Sequence, residues 1–234
     1  MLKVTNLTKK YKDITAVDNI SFQVNKGEII GLLGPNGAGK STTIKSIVGL
    51  LKVTSGTILI NGKINDSIEA KKDFAYIPEF PKLYDNLSVW EHIEFIAKAY
   101  KIENYKDQAL KYLEKYDMLN KKNKLASELS KGMQQKVSII CNLIIDPEIY
   151  FFDEPMIGLD PKAIKETKNI FIELKNKGKS VFISTHLLDS IEKICDKILI
   201  MKDGKIITKG SIEELKGSKE ITLEDLFLEA TDNG

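Results

Sequence analysis

Polar and apolar positions repeat with two different periods along the chain. Ile20-Ser21-Phe22-Gln23-Val24 alternates strictly, which predicts a strand with one buried face. Ile29-Ile30-Gly31-Leu32-Leu33, Phe74-Ala75-Tyr76-Ile77, Ile149-Tyr150-Phe151-Phe152 and the stretch around Val181-Phe182-Ile183 are instead near-continuously apolar. Short runs of that kind predict strands buried on both faces. Leu2, Val4 and Leu7 suggest short strands at the start, and Gly56–Ile60 a strand running into the Asn61-Gly62 turn. From Leu83 to Asp146 the spacing becomes helical. Ser88-Val89-Trp90-Glu91 reads as a capping box, ahead of a face made by Trp90, Ile93, Phe95, Ile96 and Ala97. A second helix spans Ala109 to Tyr116, and a third, capped by Ser130, carries Val137, Ile140, Cys141 and Ile144. Asp160-Pro161 starts another, running to about Lys175. Ile198–Met201 and Lys205–Lys209 form a hairpin around Asp203-Gly204. In the tail, helices start at Ser211 and Thr222, and Leu223, Leu226, Phe227 and Leu228 dock on the core. The pattern predicts an α/β protein with a helical insertion.

Composition narrows this little. A chain of 234 residues suffices for one large domain, and 42% hydrophobic with 29% charged residues is a globular balance. No stretch approaches the roughly 18 apolar residues of a membrane span. Met1-Leu2-Lys3-Val4-Thr5 lacks the n- and h-regions of a secretory leader. Cys141 and Cys195, both in apolar helical contexts, read as buried free thiols of a reducing cytoplasm. The basic cluster Lys121-Lys122-Asn123-Lys124 reads as a solvated loop, so no nucleic-acid partner is expected. All 35 basic residues are lysine, so no arginine finger can come from this chain or from a copy of it.

The chemistry centres on Gly34-Pro35-Asn36-Gly37-Ala38-Gly39-Lys40-Ser41. It lies between an apolar strand and the helical run Thr42-Thr43-Ile44-Lys45-Ser46-Ile47-Val48, closed by Gly49. Strand, glycine loop and helix in that order make a P-loop, whose backbone N–H groups and helix dipole cradle phosphates. Lys40 would reach the β- and γ-phosphates, and Ser41 would ligate Mg²⁺. The chain therefore reads as a binder of a nucleoside triphosphate. Asp153 and Glu154 end the apolar run 149–152, where open α/β sheets bind ligands. Asp153 suits a metal, and Glu154 suits activation of an attacking water. His186, just past the next strand, is placed to meet a γ-phosphate or that water. Capping explains Asp160 fully. Ser130 is a helix cap, and with Gly132 also a weak second anion site. Tyr11 is either a packing residue or a platform for a base.

Taken in order, these residues resemble the ATP-binding cassette superfamily across nearly the whole chain. The Walker A loop at 34–41 is followed by a glutamine-loop equivalent at Glu79 and the signature at 129–134. Walker B at 149–154, a D-loop at 158–161 and the switch histidine His186 complete the set. The resemblance implies a P-loop NTPase (RecA-like) core with an N-terminal antiparallel β subdomain, spanning 1–82 and 147–234, and an inserted helical signature subdomain at 83–146. It implies an ATPase using ATP and Mg²⁺. Asn36, Gly37, Ala38, Gly39, Lys40, Ser41 and Thr42 would hold the phosphates, Tyr11 would stack on adenine, and Ser41, Glu79 and Asp153 would hold the metal. Ser130 and Gly132 would contact the γ-phosphate across a head-to-tail dimer, homomeric or heteromeric. Glu154 would polarise water, and Asp160 would lie at the dimer seam. Two departures stand out. Glu79 replaces the usual glutamine and adds charge beside Asp153, and the signature is Leu-Ser-Lys-Gly-Met-Gln rather than Leu-Ser-Gly-Gly-Gln. With the tail at 222–228 they resemble stand-alone ATPase subunits of bacterial bacitracin- and multidrug-type exporters. That implies a separate transmembrane permease and a place on the inner face of the cell membrane. The alternative, a non-transport cassette acting on nucleic acid or the ribosome, lacks its usual coiled coils or second cassette here.

Overall fold

The strands β1 (Leu2–Tyr11), β2 (Ile14–Val24), β4 (Ser55–Ile60) and β5 (Lys63–Ile64) form an antiparallel sheet in the order β2-β1-β4-β5. A second sheet contains β3 (Ile29–Leu33), β6 (Phe74–Ile77), β7 (Ile149–Asp153), β8 (Ser180–Thr185), β9 (Lys197–Lys202) and β10 (Lys205–Ser211). Its order is β10-β9-β3-β8-β7-β6, with every pairing parallel except the β9–β10 hairpin. The helices are α1 (Lys40–Ile47), α2 (Ile68–Lys71), α3 (Val89–Ala99), α4 (Lys106–Lys115), α5 (Lys131–Ile145), α6 (Pro161–Asn176), α7 (Leu188–Ile191), α8 (Ile212–Lys216) and α9 (Leu223–Asp232). The computed structural model describes residues 1–217 and 221–232. This is the α/β architecture expected, a mixed sheet clothed by helices, and residues 89–145 contain helices and 3₁₀ turns but no strand.

The parallel strands are apolar along their middles because each residue there serves one of two cores. Ile30, Leu32, Phe151 and Phe182 point toward the antiparallel sheet and α1, where Phe22 stacks on Phe182 with centroids 5.5 Å apart. Ile29, Leu33, Tyr150, Phe152, Val181 and Ile183 point the other way, onto α3–α6 and α9. There Phe171 of α6 meets Phe152 edge-on at 4.7 Å. Burying such side chains contributes roughly 1.5–3 kcal/mol each. The sheet is thus a partition between two cores. The polar groups it carries emerge at its ends.

The caps act where expected. Ser88 and Glu91 close their box at 3.2 and 2.7 Å, and Ser130 and Asp160 accept the N–H groups of Met133 and Ala163. Three expectations need correction. The N-terminal strands are long, ten and eleven residues, because bulges interrupt their register without ending them. Asn6 and Asn19 absorb those bulges at φ 50°, a left-handed conformation asparagine tolerates. Phe95 is 46% exposed, since it lies roughly 200° around α3 from the buried Ile93. In the tail Leu223 and Leu226 are buried, but Leu228 is 49% exposed. Both cysteines are free thiols, and burial pushes that of Cys141 up to about 12.

Candidate active site

The chemical groups of the cleft hang from the carboxyl ends of β3, β6, β7 and β8. The loop after β3 is pinned from two sides. A Cβ on Gly39, at φ 101°, would lie 2.4 Å from the Ala16 carbonyl oxygen; one on Gly34 would lie as close to that of Met201. Only glycine fits such approaches. Lys40, 6% exposed, donates to the carbonyls of Gly34 at 2.7 Å and Pro35 at 3.2 Å, and faces Glu154 Oε1 at 3.5 Å. Ser41 Oγ donates to Asp153 Oδ1 at 2.9 Å. Asn36 through Thr42 line the cleft together with Ala16, Glu79, Glu154, Ile157 and His186.

Asp153 is fully buried, and its carboxylate is held by neighbours. Ser184 Oγ donates to Oδ1 at 2.6 Å and the Tyr76 hydroxyl to Oδ2 at 3.4 Å. The main chain turns sharply after it, with Glu154 at φ 48°. That conformation costs energy in a non-glycine residue, and the Glu154 N–H donation to the Ser184 carbonyl at 3.0 Å fixes it. Glu154 is thereby aimed into the cleft, where His186 Nδ1 lies 3.1 Å from both its oxygens. Three carboxylates therefore share this end of the sheet. Burial, then the negative charges of Asp153 and Glu154, hold the Glu79 carboxyl above its ordinary range. Burial and Asp153 likewise push the Tyr76 phenol up.

That charge imbalance fits a hard divalent cation. Hydroxyl and carboxylate oxygens from Ser41, Asp153 and Glu79 are the donor types Mg²⁺ takes. Among the described residues no three His, Cys, Asp or Glu side chains are grouped to cage an ion unaided. Such a cation would need oxygens from bound phosphate and water, which is how Mg²⁺ is commonly held.

Other predicted site residues lie outside the cleft. Tyr11, at the end of β1, is 42% exposed, with the Lys9 ammonium 4.6 Å from its ring centre. Its hairpin borders the cleft through Ala16. Ser130 is exposed and its hydroxyl caps α5. Gly132 has a local reason for being glycine: an added Cβ would lie 2.3 Å from the Gly158 carbonyl oxygen. Asp160 caps α6 and accepts from Lys136 at 2.6 Å. Sequence reading missed Ala16, Tyr76, Ser184 and Ile157. Of these Ser184 carried a signal, as a hydroxyl at the end of an otherwise apolar run.

A glycine loop closed on a buried lysine, with two carboxylates at the end of β7, one strand removed in the same parallel sheet, defines a P-loop nucleoside triphosphatase. Residues 17–157 match the ABC transporter family model, and the chain belongs to that family. It is 39% identical to the ABC-type transporter ATP-binding protein EcsA of Bacillus subtilis, covering 99% of this chain and 96% of EcsA. It is 36% identical to the SkfA peptide export ATP-binding protein SkfE of the same organism, covering 88% of this chain and 87% of SkfE. A solved ATP-binding subunit of an ABC transporter superposes with a TM-score of 0.93, at 36% identity, over 99% of both chains. A dimeric ATP-binding cassette bound to ADP and Pi after hydrolysis superposes at 0.82 with 27% identity, over 91% of this chain and 99% of that one. The chain is an ATP-binding and ATP-hydrolysing subunit of an ABC transporter.

Proposed function

We propose that this chain drives a separate transmembrane permease in the direction of export, by closing head to tail on a second ATPase chain when ATP binds. The observation that carries the reading is the split just described. Lys40, Ser41, Asp153, Glu154 and His186 converge in one cleft, while Ser130 stands exposed outside it. A second chain, identical or homologous, supplies Ser130 and Gly132 to the γ-phosphate at the cleft of the first. Residues 83–146 act as the helical lobe that carries them, and residues 1–82 with 147–234 as the lobe that binds nucleotide.

The P-loop amides from Asn36 to Thr42 bind the phosphates, and Lys40 turns from the loop carbonyls to the β- and γ-oxygens. Tyr11 offers its open ring face to adenine. Ser41, Asp153 and Glu79 would hold Mg²⁺, which would supply positive charge to the phosphates. Glu154 accepts a proton from the attacking water, and His186 holds the Glu154 carboxylate and contacts the γ-phosphate. Stabilisation of the transferring group rests on Lys40, the cation and helix dipoles, since the chain has no arginine.

The permease reading has separate support. No described helix is long and apolar enough to cross a membrane. An apolar groove lies between the Glu79 loop and α3, with Leu50, Phe80, Tyr84 and Phe95 exposed along it. Glu79 lines both this groove and the ATP cleft, and Tyr76 and Asp153 also reach the groove, so a permease segment seated there would touch the nucleotide site. The subunit would then sit on the inner face of the membrane. The export direction draws on SkfE, a peptide export ATP-binding protein.

The test is Glu154→Gln in the purified chain. We expect ATP binding to persist, turnover to fall by about 10²–10³, and dimers to accumulate with ATP in light scattering. Turnover at the wild-type rate, or a monomer at saturating ATP, would overturn the reading. Co-purification of a detergent-extracted membrane protein tests the partner.

A further inference from the structure

Three consecutive residues near the start of α5 reach three different loops. Gln134 Nε2 donates to the Ala126 carbonyl at 3.2 Å, steadying the segment before the signature. Gln135, 2% exposed, donates to the Pro78 carbonyl at 3.4 Å, next to Glu79. Lys136 Nζ pairs with Asp160 Oδ2 at 2.6 Å, and its side chain is only 12% exposed. The Asp160 side chain is half exposed, so the pair is shielded from its lysine side only. The lysine is held close to the protein, and its hydrogen bond, followed by the Ala163 N–H, holds the Asp160 carboxyl below its ordinary range. One turn earlier, Gly132 leaves no room between α5 and the Gly158 carbonyl.

The loop that Lys136 grips is the one leaving Glu154. Ile157 N–H donates to the Glu154 carbonyl and Leu159 N–H to that of Met156, both at 3.3 Å, and Ile157 lines the cleft. Five residues therefore join the left-handed Glu154 to the anchored Asp160, cross-linked by these main-chain bonds.

We infer that Lys136 is a positioning residue for ATP hydrolysis: its ion pair with Asp160 fastens the loop behind Glu154 to the signature helix. Any displacement of α5 then moves that loop, and the Glu154 carboxylate with it. Without the pair the P-loop is untouched, so nucleotide binding stays, but Glu154 loses its distal anchor. The inference rests on Glu154 being the group that activates water.

The experiment is steady-state turnover and thermal melting of the full chain with Lys136→Met, Lys136→Arg, Asp160→Asn and the Lys136→Met/Asp160→Asn pair. Methionine keeps the stem without charge, and asparagine keeps the α6 cap while losing the charge. We expect kcat to fall roughly tenfold in Lys136→Met and in Asp160→Asn, with KM for ATP within about twofold of wild type. Lys136→Arg should recover most of the rate, and the double variant should be no slower than either single one. Unchanged kcat in folded Lys136→Met, or kcat losses that multiply in the double variant, would overturn the inference. Glu154→Gln, run alongside, separates the two readings. Wild-type turnover there removes the role of Glu154, whereas its loss with an unaffected Lys136→Met removes only that of Lys136.

Discussion

The P-loop cleft and the signature segment are built by opposite strategies. In the cleft, Lys40, Asp153 and Glu154 are buried and held by named partners: Lys40 by two carbonyls, Asp153 by Ser41 and Ser184, and Glu154 by main-chain and histidine contacts. The signature segment has its backbone packed against Gly158 while the Ser130 side chain stands in solvent. A site that is rigid and self-satisfied on one side and preformed but open on the other is suited to completion from outside. The difference teaches where the energy of ATP binding goes. In the proposed head-to-tail pair, bringing the exposed Ser130 to a phosphate in the cleft would require moving a whole chain.

The sharpest way to break that contrast is to damage the two regions in different molecules. Lys40→Ala and Ser130→Arg should each lower turnover by about 10²–10³. Equal mixtures of the two should regain activity, because a mixed head-to-tail pair keeps one intact site. If mixing restores nothing, both regions serve the same site within one chain. A smaller effect is expected at the rim: Tyr11→Ala should weaken ATP affinity by about 1 kcal/mol, roughly fivefold, with kcat unchanged. Isothermal titration checks it, and unaltered affinity would return Tyr11 to a packing role. The smallest effect joins the two regions. Asp160 has a depressed pKa in the fold, so its stabilisation is present above its ordinary 3.8 and is lost as pH falls through the depressed value. The melting temperatures of wild type and Asp160→Asn should differ at neutral pH and converge only below that ordinary value. A gap independent of pH would leave the cap, not the charge, as the stabilising element.

Much of the cleft was legible because its determinants are local. Glycine spacing sets the phosphate loop, and an apolar run ending in Asp153-Glu154 announces a strand with its chemistry at the tip. Caps at Ser88, Ser130 and Asp160 were legible for the same reason. Non-local arrangements were not. Strand order cannot be read when parallel neighbours are separated by helices. The left-handed turn at Glu154 has no glycine to signal it, and Lys136 looks like any solvated lysine until Asp160 is placed beside it. Phe95 misled because it is apolar and adjacent to true core positions, yet falls on the groove side of α3. The Asn6 and Asn19 bulges misled because a break in alternation looks like the end of a strand.

The position of β3 in the sheet bears on how the protein is made. Its neighbours are β8 and β9, which the ribosome delivers about 150 residues after it, since Ile29 pairs with Val181 and Ile30 with Lys197. Until those strands emerge, the apolar run before the phosphate loop has no partner on either side, and such long-range pairing forms late. A nascent chain shorter than about 200 residues therefore carries every atom of the glycine loop without the walls that shape it. ATP capture during synthesis begins only once β8 and β9 have left the ribosome and paired with β3.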